Sequence, residues 1–140
     1  MYIIFDLDGT LADMTHRLSH IQKKPKDWDS FYAACLNDEP IEQMLALCRT
    51  LAHFNTVDIW SGRSDVVRVQ TEFWLKKYGI NYRTLKMRRD GDYRQDYIVK
   101  GEWADTLLAP PDVVFDDRQQ VVDMWRSRGV RCCQVAPGDF

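Results

Sequence analysis

Asp6 and Asp8 are the first residues in this chain whose type and spacing imply chemistry. They stand at the end of Tyr2-Ile3-Ile4-Phe5, a run of aromatic and β-branched residues that predicts a strand buried on both faces. Side chains alternate along a strand, so the two carboxylates share one face while Leu7, between them, points into the core. Gly9 then turns the chain. Two acids aimed together repel and lose hydration, and a fold keeps them where a cation, a shared proton or open water offsets that cost. The pair points to a hard-metal site. An Asp-Gly turn carrying two solvated acids is the plain alternative.

Other groups fall in the same kind of place. Ser61-Gly62-Arg63-Ser64 follows the strand predicted over Thr56 to Trp60 and precedes a helix predicted from Asp65 through Tyr78. A hydroxyl and a glycine at such a junction make an anion cradle, because free backbone N–H groups face outward there. Ser61 and Ser64 equally suit N-caps. Asp116-Asp117-Arg118 ends the strand predicted over Asp112 to Phe115. Lys100 falls in the first turn of a helix predicted from about Asp96 to Leu108, where the helix dipole disfavours a cation. That misplacement hints at use. The loop from Arg88 to Asp96 reads first as a solvated connection, yet Arg88, Arg89, Arg94 and Tyr93 also suit a phosphate chain and a base.

Taken together, Asp6, Asp8 and Asp116 offer oxygen ligands suited to Mg²⁺. Ser61, the amides after it, Arg63 and Lys100 supply donors and positive charge for a phosphate. A metal, an anion cradle and a carboxylate nucleophile describe phosphoryl transfer through an aspartyl phosphate, with Asp8 as acid and base. No GxxxxGK[ST] segment occurs, which disfavours a P-loop kinase.

Strands alternating with helices must position these groups, which predicts an α/β fold: one three-layer, Rossmann-like domain over 1–140 with a mainly parallel sheet of about five strands. Short strands are also expected over Arg83 to Met87 and Val130 to Val135, and Pro40 is expected to open a helix carrying Ile41, Met44, Leu45, Cys48, Leu51 and Ala52. Ligands of such sheets sit beyond the carboxyl ends of the strands, where all three acidic or hydroxyl-bearing groups fall. Residues of roughly 14–40 form an insert. Its first part is basic, with His16, Arg17, His20, Lys23, Lys24 and Lys26, and its second carries Trp28, Phe31, Tyr32 and Leu36 at helical spacing. A small helical cap over the site is one reading and a solvated helical hairpin the other.

The 140 residues are 45% hydrophobic and 29% charged, the composition of a soluble globular protein. There is no apolar run long enough for a bilayer and no leader-like start, so a cytoplasmic location without membrane contact is expected. Cys35, Cys48, Cys132 and Cys133 lack CxxC spacing and read as buried free thiols. With a net charge of −2, nucleic-acid affinity would have to come from local basic clusters.

FDLDGTLAD, SGR at 61 to 63, Lys100 and FDDR at 115 to 118 resemble the four motifs of the haloacid dehalogenase superfamily of phosphatases. The resemblance implies Asp6 as nucleophile, Asp8 as acid/base and as a Mg²⁺ ligand through its main-chain carbonyl, Asp116 as a metal ligand and Asp117 in support. DLDGTLADMTHR, RRDGDYRQDYIVK, DDRQQVVDMWRSRGV and CQVAPGDF are most similar to the 3′-phosphatase domain of T-even bacteriophage polynucleotide kinase, outside the stretch around residues 20 to 40. By that resemblance Arg17, Gly62, Arg63, Arg88, Asp96 and Lys100 join the site, the arginines as phosphate or nucleic-acid contacts. The expected activity is Mg²⁺-dependent removal of terminal 3′-phosphates from nucleic acids or nucleotides. A 5′-deoxynucleotidase acting on mononucleotides is the alternative, and a receiver-like binding module ranks lower. If Arg17, Arg88, Arg89, Arg94 and the insert lysines flank the rim, oligonucleotides should be preferred.

Overall fold

The computed structural model describes residues 1–138; Asp139 and Phe140, which end the CQVAPGDF segment, lie outside the described residues. In order the chain forms β1 (Tyr2–Phe5), β2 (Ala12–Asp13), α1 (Ser19–Gln22), α2 (Trp28–Ala33), β3 (Glu39–Pro40), α3 (Glu42–Ala52), β4 (Thr56–Ser64), α4 (Arg68–Lys77), β5 (Leu85–Arg88), α5 (Asp96–Asp105), β6 (Val113–Asp116), α6 (Gln119–Ser127) and β7 (Cys132–Gln134). Five strands make one sheet in the order β5-β4-β1-β6-β7, and every pairing in it is parallel. The α/β expectation holds.

Strand alternation sorts the apolar residues into two layers. Ile3 and Phe5 join Leu45 and Cys48 of α3 and Trp74 and Leu75 of α4 on one face. Ile4 lies on the other with Val121, Val122 and Trp125 of α6. Helices on both faces of a parallel sheet explain why β1 is apolar throughout rather than alternating with polar residues. In α3 the buried residues recur at three- to four-residue steps, Glu42 sits in the first turn and Arg49 in the last, and both charges suit the helix dipole. At the far end of the sheet Asp58 accepts hydrogen bonds from Tyr2 Oη (2.7 Å), Arg83 Nη2 (2.8 Å) and Thr84 N (3.1 Å). Burial works to raise the Asp58 carboxyl, and these donors outweigh it and hold the group below the usual carboxylate range.

The topology decides where a ligand can sit. The chain leaves β1 for β4 and β5 on one side, then returns to β6 and β7 on the other, so strand order reverses beside β1 and a crevice opens beyond its carboxyl end. Several boundaries differ from the sequence expectation. Pro40 opens no helix: it pairs with Ala12 in the short antiparallel β2–β3 ribbon that brackets the insert, and α3 starts at Glu42. β4 does not stop at Trp60 but runs to Ser64, with a register irregularity against β5 between Ser61 and Ser64. The strand expected over Arg83 to Met87 runs instead over Leu85–Arg88, while the Arg83 side chain reaches Asp58. Cys133 is exposed while Cys35, Cys48 and Cys132 are buried free thiols, as adjacent positions on opposite faces of a strand require. Among the described residues no helix is long and apolar enough to cross a membrane.

Candidate active site

β1 delivers Asp6 to the crevice, and the ladder continues through it, since Asp6 N donates to Phe115 O at 2.9 Å. Gly9 follows with φ +82°, and a Cβ there would lie 2.2 Å from Asp117 Oδ2. Only glycine tolerates both conditions. Asp116 ends β6 and Asp117 comes next, so carboxylate oxygens of Asp6, Asp116 and Asp117 lie within 4.8 Å of one another, all three residues buried. Lys100 answers them from the second turn of α5, not the first as the sequence suggested: its Nζ donates to Asp6 Oδ1 (2.7 Å) and Asp116 Oδ2 (2.8 Å). Asp96, one turn earlier, is 3.5 Å away.

One ammonium cannot neutralise this group. Burial, then Asp116, pushes the Asp6 carboxyl well above its ordinary range despite Lys100. Asp116 is raised by burial, and Asp117 is pushed up to about 6 by burial and by Asp116. Burial alone would lower Lys100, but Asp116, Asp6 and Asp96 raise it well above its usual value. Clustered, buried, oxygen-only donors with surplus negative charge fit a small hard cation such as Mg²⁺. The trio joins three of the four expected metal residues through their side chains, while the Asp8 carboxyl is engaged on Arg63 and Arg17.

Asp8 faces two guanidiniums. Arg63 Nη2 donates to its Oδ1 at 2.7 Å and Arg17 Nη2 at 2.6 Å. Burial favours the neutral acid, yet Arg63 and Arg17 outweigh it and hold Asp8 below its ordinary value. Two cations around one carboxylate leave positive charge over, and Asp38 supplies the balance. It accepts from Arg17 Nε (2.8 Å), Arg17 Nη2 (2.7 Å) and Arg63 Nη2 (2.8 Å), and its Oδ1 lies 2.7 Å from His16 Nε2. Its backbone carbonyl accepts from Trp74 Nε1 at 2.8 Å. Sequence reasoning missed Asp38, since nothing in its spacing separates it from Glu39. The signal available was the surplus of buried arginine, which demanded a second acid.

Asp6, Asp8, Gly62, Arg63, Arg88, Asp96 and Asp117 line one cleft of about 410 Å³. Arg17, Lys100 and Asp116 stand behind that wall in contact with it. Ser61 is also fully buried, and its hydroxyl accepts from Arg63 N at 3.2 Å. Ser64 caps the turn before α4 by accepting from Val66 N. Gly62 is held by a close approach, for a Cβ there would lie 2.0 Å from Asp96 Oδ1. Arg88 donates to Gly62 O (2.8 Å) and to Asp96 Oδ1 (3.1 Å). Asp96, raised by burial but lowered further by Lys100, Arg118 and Arg88, lies below the ordinary range. The arginines expected as a free basic rim are therefore largely committed. Arg17 and Arg63 are buried on acids, Arg88 on Gly62 and Asp96, and Arg94 on Asp92 and Glu102. Lys23, Lys24, Lys26 and Arg89 are exposed, as is Arg94 despite its two acidic partners.

Residues 1–140 match the family described as the polynucleotide kinase PNKP phosphatase domain. The chain belongs to this family. It is thus a haloacid dehalogenase phosphatase domain of the polynucleotide kinase phosphatase type. A chain in the structure of the Pnkp1/Rnl/Hen1 complex is 34% identical with a TM-score of 0.82, covering 99% of this chain and 47% of that one. A chain in the Pnkp1/Rnl/Hen1 RNA repair complex is 32% identical at TM-score 0.82, covering 99% and 43%. The chain therefore spans about half the length of these relatives or somewhat less. A class C acid phosphatase from Bacillus anthracis, with tungstate bound, shares the fold at 15% identity and TM-score 0.65, over 99% of this chain and 66% of that one.

Proposed function

We propose that the chain is a Mg²⁺-dependent phosphomonoesterase that removes terminal 3′-phosphates from nucleic acids or nucleotides through a phosphorylated Asp6. The observation carrying this reading is the buried trio of Asp6, Asp116 and Asp117 beside Lys100, at the switch point of the sheet. Membership of the polynucleotide kinase phosphatase family supports the nucleic-acid end as substrate. Residues 1–140 are read as one phosphatase domain with 14–40 as its cap, and the relatives in an RNA repair complex suit work at strand ends.

Asp6, Asp116 and Asp117 would hold the Mg²⁺, with the Asp8 main-chain carbonyl as a further ligand. The ion supplies charge neutralisation that lets a dianionic phosphate approach three carboxylates. Asp6 then attacks phosphorus as its ionised carboxylate, and the ester P–O bond breaks. Lys100 orients the Asp6 carboxylate through its 2.7 Å hydrogen bond, and the added charge of the bound cation would favour its ionised form. Asp8 gives its proton to the departing oxygen, then takes one from the water that hydrolyses the acyl phosphate, releasing phosphate and restoring Asp6. In the free protein Arg63 and Arg17 hold Asp8 ionised. A phosphate in the cleft competes for Arg63, which lines it while Arg17 stands behind, and as it draws on that guanidinium the Asp8 carboxyl moves back toward protonation.

The test is phosphate release from a 3′-phosphorylated oligonucleotide, a 3′-mononucleotide and a 5′-deoxymononucleotide, compared by kcat/KM with Mg²⁺ and with EDTA. The 3′-phosphates should win, and only with the metal. A clear advantage for the 5′-mononucleotide would install the nucleotidase reading. Undiminished release from verified metal-free protein would remove Mg²⁺ from the mechanism.

A further inference from the structure

The cleft carries a wall that phosphate chemistry does not require. Trp28, Phe31 and Tyr32 of α2 line it together with Asp6 and Asp8. Phe31 is buried, with the Arg17 guanidinium 4.4 Å over its ring, so its place is structural. Trp28 and Tyr32 remain partly exposed. Tyr32 is stacked on Trp28 with ring centroids 5.9 Å apart and planes 28° from parallel, and Phe31 meets Trp28 edge-on at 5.6 Å. The indole is therefore oriented by two neighbours while part of its surface stays open. Lys26, exposed, places its Nζ 5.7 Å over the same ring.

An indole face carries negative electrostatic potential and repels a phosphate, so this wall suits the other half of a phosphate ester. It favours a flat π-system or a cation. We propose that Trp28 is a stacking platform for the base of the nucleoside that bears the scissile phosphate. This deepens the phosphatase reading and rests on it, naming the substrate as a nucleotide recognised through its base rather than any phosphate ester. A stacked base gains more on an indole than an exposed ammonium does. Binding therefore displaces Lys26 from the ring and frees its charge for a neighbouring phosphate. Stacking is tolerant of base identity, because every base has a π-face.

The test compares thymidine 3′-phosphate with base-free 2-deoxyribose 3-phosphate in the wild type, Trp28→Phe, Trp28→Leu and Trp28→Ala. In the wild type the base should improve kcat/KM roughly tenfold, through KM rather than kcat. Trp28→Phe should keep most of that advantage, whereas Trp28→Leu and Trp28→Ala lose it with unchanged turnover of the base-free ester. Equal losses on both esters, or a base advantage retained by Trp28→Leu, would overturn the platform and leave Trp28 as packing for the insert. A second readout does not need turnover. Trp60, Trp74 and Trp125 are about 1% exposed, and Trp103, partly exposed, does not line the cleft, so quenching of tryptophan fluorescence by thymidine 3′- or 5′-phosphate should come from Trp28 and vanish in Trp28→Phe. Quenching without hydrolysis would retain the platform and sink the phosphatase reading; hydrolysis without quenching would do the reverse.

Discussion

On the proposed mechanism, Asp6→Asn replaces the attacking carboxylate by an amide of the same shape, which cannot form the acyl phosphate. A loss of roughly 10³-fold or more in kcat is expected, with little change in Tm because Lys100 keeps Asp116 as a partner. Activity near wild type would remove Asp6 from the chemistry. Asp38→Asn tests a residue outside the cleft wall that touches both arginines of Asp8. Breaking a buried ion pair by removing one partner typically costs about 3–5 kcal/mol, so Tm should fall clearly and kcat/KM with it. A folded, fully active Asp38→Asn protein would mean that the arginines need no second acid. Mg²⁺ itself should raise Tm in proportion to its binding, since an ion held by the native state alone stabilises that state by mass action. Asp116→Asn/Asp117→Asn should lose the shift, and thermal melts across a Mg²⁺ titration measure it without any substrate.

At the scale of elements, the close approach of β4 to the start of α5 is the most sensitive contact. Gly62→Ala forces a methyl against the Asp96 carboxylate, and overpacking of this kind costs typically 1–3 kcal/mol. The larger effect should fall on kcat/KM, because Asp96 is tied to Arg88 and lies beside Lys100. A variant with wild-type kinetics would make that contact incidental. Much of this layout was legible in the sequence. The apolar runs of β1 and β6, the recurring apolar residues of α3 and the acids at strand ends are local patterns, and local patterns survive into the fold. What was not legible depends on partners distant in sequence. Pro40 reads as a helix start until Ala12 is beside it. Arg17 reads as a basic-rim residue until Asp8 and Asp38 surround it, and Asp38 looks like any loop acid until two guanidiniums face it.

Across the whole molecule, charge commitment sets how strongly a long strand is held. With Arg17, Arg63 and Arg88 buried in internal contacts, the insert contributes Lys23, Lys24 and Lys26 as exposed cations, of which Lys26 lines the cleft, while Arg94 on its wall is held by Asp92 and Glu102. The salt dependence of oligonucleotide KM should therefore be shallow, log KM rising with log salt at a slope no steeper than about +2 for three phosphates on a single strand. A much steeper slope would reveal a larger basic footprint. Stability has its own charge signature at the other end of the sheet. Asp58 is held below the ordinary range when folded, so its contribution is present above the unfolded carboxylate pKa and disappears as pH falls through the folded one. The Tm gap between wild type and Asp58→Asn should thus hold at neutral pH and narrow as pH falls below about 4, the unfolded carboxylate value. A constant gap would deny Asp58 its charged role.

The insert is fastened near both its ends. Arg17 near its start reaches Asp8, and Asp38 near its close reaches Arg63 on β4. Ion pairs at both ends oppose a door-like swing of the insert, and on the proposed function a strand end would enter through a standing mouth. Turnover should then be indifferent to added viscogen wherever chemistry, rather than product departure, limits the rate. On the same reading, a phosphorylated side chain lying flush on a folded protein surface should be a far poorer substrate than a flexible, protruding end.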